Sequence, residues 1–248
     1  MSASASPLPA VDGQLIDEYV AGLSSRLVGP RPVKADLLAE ARDGLADAAE
    51  AYAEAGFPPS EAAARAVADF GSYRQVAAAF QTELAAAQGR RTALLVAIAM
   101  PTVLLGSRLM WMDSPWTNAG QEPTSGYLVF AYAMDVLQVT AAIMAGLTLL
   151  GYGWGSRFLP AGRVPAPVLL TRLMGVGVLA FIMAEAVTGA VIYAWSVHMW
   201  AGAAQWPPMV IGAVLLPLFF VKVARSAVRC LRAASAPAVG TGTLRSWS

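Results

Sequence analysis

Four long apolar segments, 92–112, 127–152, 168–198 and 209–223, constrain this chain more than any other feature. The first three meet or exceed the roughly 20 residues needed to cross a bilayer. The fourth is shorter, bounded by Pro207 and Pro208 and interrupted by Pro217. Backbone in hydrocarbon must satisfy its own hydrogen bonds, so the segments read as transmembrane helices. Composition agrees, with 57% hydrophobic residues, 13% charged residues and a mean hydropathy of +0.55. A soluble domain carries about 25% charged residues.

The charge is unevenly divided. Residues 1–88 carry six basic and twelve acidic side chains, whereas residues 89–248 carry eleven basic and four acidic. The net charge of +1 therefore hides an acidic soluble head on a basic membrane body. That asymmetry excludes a single globular enzyme domain and a uniformly basic nucleic-acid binder, and no direct nucleic-acid binding is expected. Arg90 and Arg91 precede the first span, Arg157, Arg163 and Arg172 lie around the loop 153–167, and Lys222, Arg225, Arg229 and Arg232 follow the fourth span. Loops 113–126 and 199–208 contain no Lys or Arg, and the first of them holds Asp113 and Glu122. The alternation predicts cytoplasmic termini in a multi-pass protein of the inner or plasma membrane. Trp111, Trp116, Trp195, Trp200 and Trp206 fall near the expected outer interface, with Trp154 near the inner one.

The single Cys230 excludes an internal disulfide and a Cys-based structural zinc site. The single His198 excludes His-pair metal motifs and argues against a Ser-His-Asp triad. No Walker-type phosphate loop and no dinucleotide-binding glycine fingerprint is present. No catalytic residue, cofactor site or metal site is expected. Residues 1–11 lack the basic and apolar regions of a signal peptide and read as disordered.

Residues 12–88 read as a bundle of four helices. The first covers about 12–27, with Ile16, Val20, Leu23 and Leu27 at helical spacing. Gly29, Pro30 and Pro32 end it. The second covers about 33–55, with Gly56 suited to the left-handed position past a helix end. The third covers 59–70, starting on Pro59 and closed by Gly71. Ser72-Tyr-Arg-Gln75 is a capping-box sequence opening a fourth, with Val76, Ala79, Phe80 and Leu84 on one face. On the second helix, Asp36, Glu40, Asp43, Asp47, Glu50 and Glu54 are spaced 4, 3, 4, 3, 4. Those six carboxylates fall within about 40° either side of one line, opposite Leu37, Leu38, Ala41, Leu45, Ala48 and Tyr52. The strip is either a solvated face or a docking strip for a basic partner. Repulsion between like charges at i,i+4 costs a few tenths of a kcal/mol per pair, roughly, a cost that a binding role would explain. Ligands pointing outward in parallel along one helix face do not converge on a metal.

The run Asp36-Leu-Leu-Ala-Glu-Ala-Arg-Asp-Gly-Leu-Ala-Asp-Ala, then Ala62-Ala and Ala66-Val-Ala-Asp-Phe-Gly71, then Val76-Ala, resembles the helical HAAS-type or permease prefix domain. The resemblance covers roughly 12–88. It departs from the family at Gly44, where a His is common, so no role of that His carries over. Such domains precede membrane segments in many bacterial proteins, and are encoded beside PadR-like transcription regulators or fused to permeases. The resemblance implies no catalytic residues.

Three ionisable side chains lie within the spans: Arg108, Asp135 and Glu185. A rise of about 1.5 Å per residue places all three in the outer half of the bilayer. Three readings stand open: snorkelling to headgroups, an interhelical pair of Arg108 with Glu185 or Asp135, and a substrate or proton path. Ala142 and Gly146 on the second span and Ala180 and Ala184 on the third suit close helix packing. Pro101 predicts a kink in the first span. Residues 224–248 begin as a basic helix extension suited to anionic headgroups, then turn Ala/Pro/Gly/Thr-rich and read as disordered.

The expectation is therefore an all-α protein, a cytosolic helical bundle followed by a four-helix transmembrane domain (89–223). Its expected function is that of a non-enzymatic regulatory or signalling membrane protein. Its expected partners are membrane lipid and a PadR-like regulator or a transporter component, with a homo-oligomer left open. The alternative is an accessory component or subunit of a membrane exporter.

Overall fold

The structure, a computed structural model, describes residues 10–112, 124–153, 166–195 and 205–235. Among them the chain is all-α, in seven helices: α1 Ala10–Arg26, α2 Arg31–Glu54, α3 Pro59–Phe70, α4 Tyr73–Trp111, α5 Ser125–Gly153, α6 Ala166–Trp195 and α7 Pro207–Ser235. The last four are each long and apolar enough to cross a membrane, which makes the chain a multi-pass integral membrane protein. The described residues up to Ala87 and from Arg232 onward form one compact unit, and Gln88–Leu231 form another.

The expected fourth head helix and first span are a single helix, α4. Gly89 is the one breaker between Leu84 and Thr92. An interior glycine costs about 1 kcal/mol, too little to end a helix with good helix formers on both sides. Helix α2 starts at Arg31, two residues before the expected start, because Pro32 is tolerated within a first turn. Helix α3 has the expected bounds.

The smaller unit is built on a core of Ile16, Tyr19 and Leu23 from α1, Leu27 just past its end, Leu37, Leu45 and Ala49 from α2, Ala63 and Ala66 from α3, and Leu84. Its turns are set by local chemistry. Past α2, Gly56 has φ 92°. Its N–H bonds Ala53 O at 3.0 Å, and Phe57 N–H bonds Tyr52 O at 3.2 Å. This is a Schellman closure, and the Phe57 ring packs edge-on to Tyr52. Past α3, Gly71 has φ 107°. Ser72 then donates its N–H (3.2 Å) and hydroxyl (3.0 Å) to Gln75 Oε1, the backward half of a capping box. Tyr19 ties α1 to this turn. Its hydroxyl donates to Gly71 O at 2.8 Å and its ring stacks on Tyr73 at 4.6 Å. Burial raises its pKa, and the neighbouring Tyr73 adds to the shift.

The larger unit packs α5 against α6 and buries Ala93, Val96 and Met100, Ala145, Met174 and Val178, and Val223 and Ala227. Close approach occurs where a side chain is missing. A Cβ on Gly175 would meet Leu231 at 2.8 Å and Ala227 O at 3.2 Å. The expected small positions fare differently. Ala142 packs against the core and Ala180 is exposed, while a Cβ on Gly146 would meet nothing. Pro101 and Pro217 lie inside α4 and α7, which continue through both.

Candidate functional site

On α2, all six strip carboxylates, Asp36, Glu40, Asp43, Asp47, Glu50 and Glu54, are exposed. The opposite face is buried at Leu37, Ala41, Leu45 and Ala49. Burial thus follows a four-residue rhythm, with Leu38, Ala48 and Tyr52 at its half-buried margin. None of the six pairs with a cation among the described residues. Arg42, on the same helix, bridges instead to Asp17 at 2.9 Å, and Arg65 to Glu61 at 2.9 Å. Arg42 and Arg65 thus neutralise other carboxylates and not the strip. At one end of the helix the Tyr52 hydroxyl donates to the Asp69 carboxylate. That bond, together with the carboxylate's charge, raises the tyrosine pKa above its ordinary 10.

In the larger unit, polar groups collect at three levels. At one end Thr92 Oγ1 and Ser226 Oγ lie 2.7 Å apart, and Gln88 Nε2 reaches Thr92 Oγ1 at 3.3 Å. Cys230 Sγ lies 3.1 Å from the same hydroxyl, so the thiol is a buried member of a hydrogen-bonded cluster. Beside these, Tyr152 Oη and Thr171 Oγ1 meet at 2.7 Å. Arg90, Arg91, Arg172, Arg225 and Arg229 are all exposed within a few residues of these contacts. The positively charged segments thus gather at one end of the four helices. At the other end Trp206 Nε1 donates to Met110 O at 3.2 Å, and the Trp195 ring packs edge-on to Phe130. Trp111, Trp195 and Trp206 therefore share the end opposite the arginines, the distribution of a membrane-interface belt. Asp113, Glu122, Trp116, Trp154, Arg157, Arg163, His198 and Trp200 lie outside the described residues.

The third level lies between these ends and holds the three intramembrane charges. Arg108 Nη2 donates to Asp135 Oδ2 at 3.1 Å, joining α4 to α5. Glu185 neither snorkels nor takes Arg108. It is 5% exposed, and neither carboxylate oxygen has a hydrogen-bond partner. Gln138 on α5, one turn from Asp135, is 6% exposed, and its Oε1 is also unpartnered. Asp135 and the Gln138 amide are the polar neighbours that bear on Glu185. Sequence reasoning missed Gln138 because it considered only ionisable groups. The signal was present: Asp135 and Gln138 are spaced i,i+3 on a helix that is otherwise mostly apolar. Among the described residues, no three His, Cys, Asp or Glu side chains gather as a metal site.

No family model matches the chain, and neither a curated protein nor a solved structure is significantly similar to it.

Proposed function

We propose that this protein is a membrane-anchored regulatory protein without enzymatic activity, whose α2 carboxylate strip docks a basic surface of a cytosolic partner. The observation that carries this reading is the strip itself. Six exposed, unpaired carboxylates line one face of a helix whose other face is buried. Their mutual repulsion lowers helix stability, and a complementary partner would relieve it. The arginines gathered at one end of the four helices support a cytoplasmic placement of that end. The resemblance of residues 12–88 to the HAAS-type domain makes a PadR-like regulator the expected partner. An exporter component is the alternative.

The test uses the full chain solubilised from membranes. Asp43→Asn, Asp47→Asn and Glu50→Gln together should leave helix content unchanged, because all three side chains are exposed. They should weaken capture of the partner and flatten its salt dependence, since screened attraction between charges would be reduced. Recovery of a PadR-like regulator supports the regulatory reading, and recovery of a transporter ATPase the alternative. A folded triple variant that binds the same partner equally at low and high salt reduces the strip to a solvated face.

A further inference from the structure

We propose that Glu185 and Gln138 form a binding site for one monovalent cation, a proton or a sodium ion, inside the membrane unit. This site stands apart from the α2 strip and does not depend on the docking reading.

Three oxygens define it: Oε1 and Oε2 of Glu185 and Oε1 of Gln138. All three are buried, and none has a hydrogen-bond partner. All three are acceptors, so what they lack is a positive charge or a donor. The Gln138 amide bears on the carboxylate, yet a neutral donor leaves the negative charge unmatched. Among the described residues no cation pairs with Glu185. The guanidinium of Arg108 is committed to Asp135, and its side chain is 68% exposed, whereas Glu185 is 5% exposed. Asp135 on α5 is the titratable group bearing on Glu185, and Arg108 on α4 acts through it. One turn below Glu185, the Phe181 ring lies beside Phe220 of α7. Arg108, Asp135 and Glu185 together carry one net negative charge when ionised. An isolated carboxylate in such surroundings is neutralised or paired, since burying it bare is prohibitively costly.

One added positive charge closes both deficits. A proton on Glu185 removes the charge and gives the acid an O–H to donate to Gln138 Oε1. A sodium ion between the same three oxygens removes the charge and engages all three acceptors. A divalent ion would leave an excess charge, because only one carboxylate in the cluster is uncompensated.

The experiment takes the full chain in detergent micelles or lipid vesicles, with sodium exchanged for choline at constant ionic strength. Infrared spectroscopy reads the C=O stretch of a protonated carboxyl, and thermal unfolding reads the response to added sodium chloride. In the proton arm, wild type shows the acid band at neutral pH whether or not sodium is present. Glu185→Gln loses the band, and Gln138→Leu shifts it. In the sodium arm the acid band is absent in sodium, and the unfolding midpoint rises with sodium but not with choline. Glu185→Gln abolishes that rise. Wild type with no acid band and no sodium response overturns the site. So does an acid band, or a sodium response, that survives in Glu185→Gln. The wild-type measurements decide the matter even where a variant does not fold.

Discussion

Gln81 and Gln138 are equally buried glutamines, each 6% exposed, one in each unit, and they meet opposite fates. Gln81 is saturated. Its Oε1 accepts from Val28 N–H at 3.0 Å, and its Nε2 donates to Val28 O and Ala233 O, both at 2.8 Å. Gln138 leaves its carbonyl unpartnered. The difference follows from what surrounds each one. The smaller unit has irregular backbone between α1 and α2, and Val28 there lies outside any helix, with an N–H and a C=O to satisfy. A long side chain that returns both bonds stabilises that turn. In the larger unit Gln138 stands within α5, whose backbone satisfies itself, so a buried amide there finds only other side chains. A polar group that stays unpartnered in such a setting is a candidate for binding something from outside.

The largest expected effect tests this contrast directly. Gln81→Leu should destabilise the smaller unit by about 2–3 kcal/mol, because it strands three backbone groups that leucine cannot bond. Gln138→Leu should cost less, about 1 kcal/mol, since its only polar neighbour to lose is the one side chain of Glu185. Hydrogen exchange on the full chain reads the opening free energy of each unit separately. Equal losses at the two positions would erase the contrast.

A pair of mid-helix glycines gives a second, smaller contrast. A Cβ on Gly89 would overlap the Tyr152 hydroxyl and approach Thr171 Oγ1 to 2.7 Å. Gly89→Ala should therefore break the Tyr152–Thr171 hydrogen bond and destabilise the larger unit by about 1–3 kcal/mol. Adding Tyr152→Phe, which removes the obstructing oxygen, should recover much of that loss. Gly44 is exposed in the middle of α2, with nothing within 4 Å of a Cβ built there. Gly44→Ala should stabilise the smaller unit by about 0.5–1 kcal/mol, through helix propensity alone. Thermal unfolding midpoints that move in the same direction for both alanines would contradict the packing.

What the sequence displayed and what it concealed divide along the same physical line. Gly56, Pro59, Gly71 and Ser72 mark their turns because turn chemistry is local, and the helix ends fall within a residue or two of them. The four apolar segments are legible because bilayer thickness demands length. The merger of the fourth head helix with the first span was not legible, because Gly89 is a weak breaker whose effect depends on its neighbours. Tyr19 escaped a reading based on aliphatic spacing, although its hydroxyl bonds Gly71, 52 residues away. For the intramembrane charges, sequence could name Arg108, Asp135 and Glu185 but could not pair them. The choice between two carboxylates on different helices depends on helix rotation, which no local pattern reports.

That choice supplies the last and smallest effect. Arg108 and Asp135 are linked at 3.1 Å by side chains that remain 68% and 40% exposed, so their attraction is not amplified by protein burial. Polar contacts between transmembrane helices average about 0.6 kcal/mol and reach about 1.7 kcal/mol. A cycle of Arg108→Leu, Asp135→Leu and the double variant, read by unfolding in detergent, should return a coupling in that range. The matching cycle of Arg108 with Glu185→Leu should be additive within about 0.5 kcal/mol, the scatter of independent sites. Coupling confined to the Asp135 cycle would leave Glu185 without an internal cation, as its unpartnered oxygens require. Coupling of Arg108 to Glu185 above that scatter would show that the arginine reaches the buried carboxylate, and the opposite treatment of polar groups in the two units would then not hold.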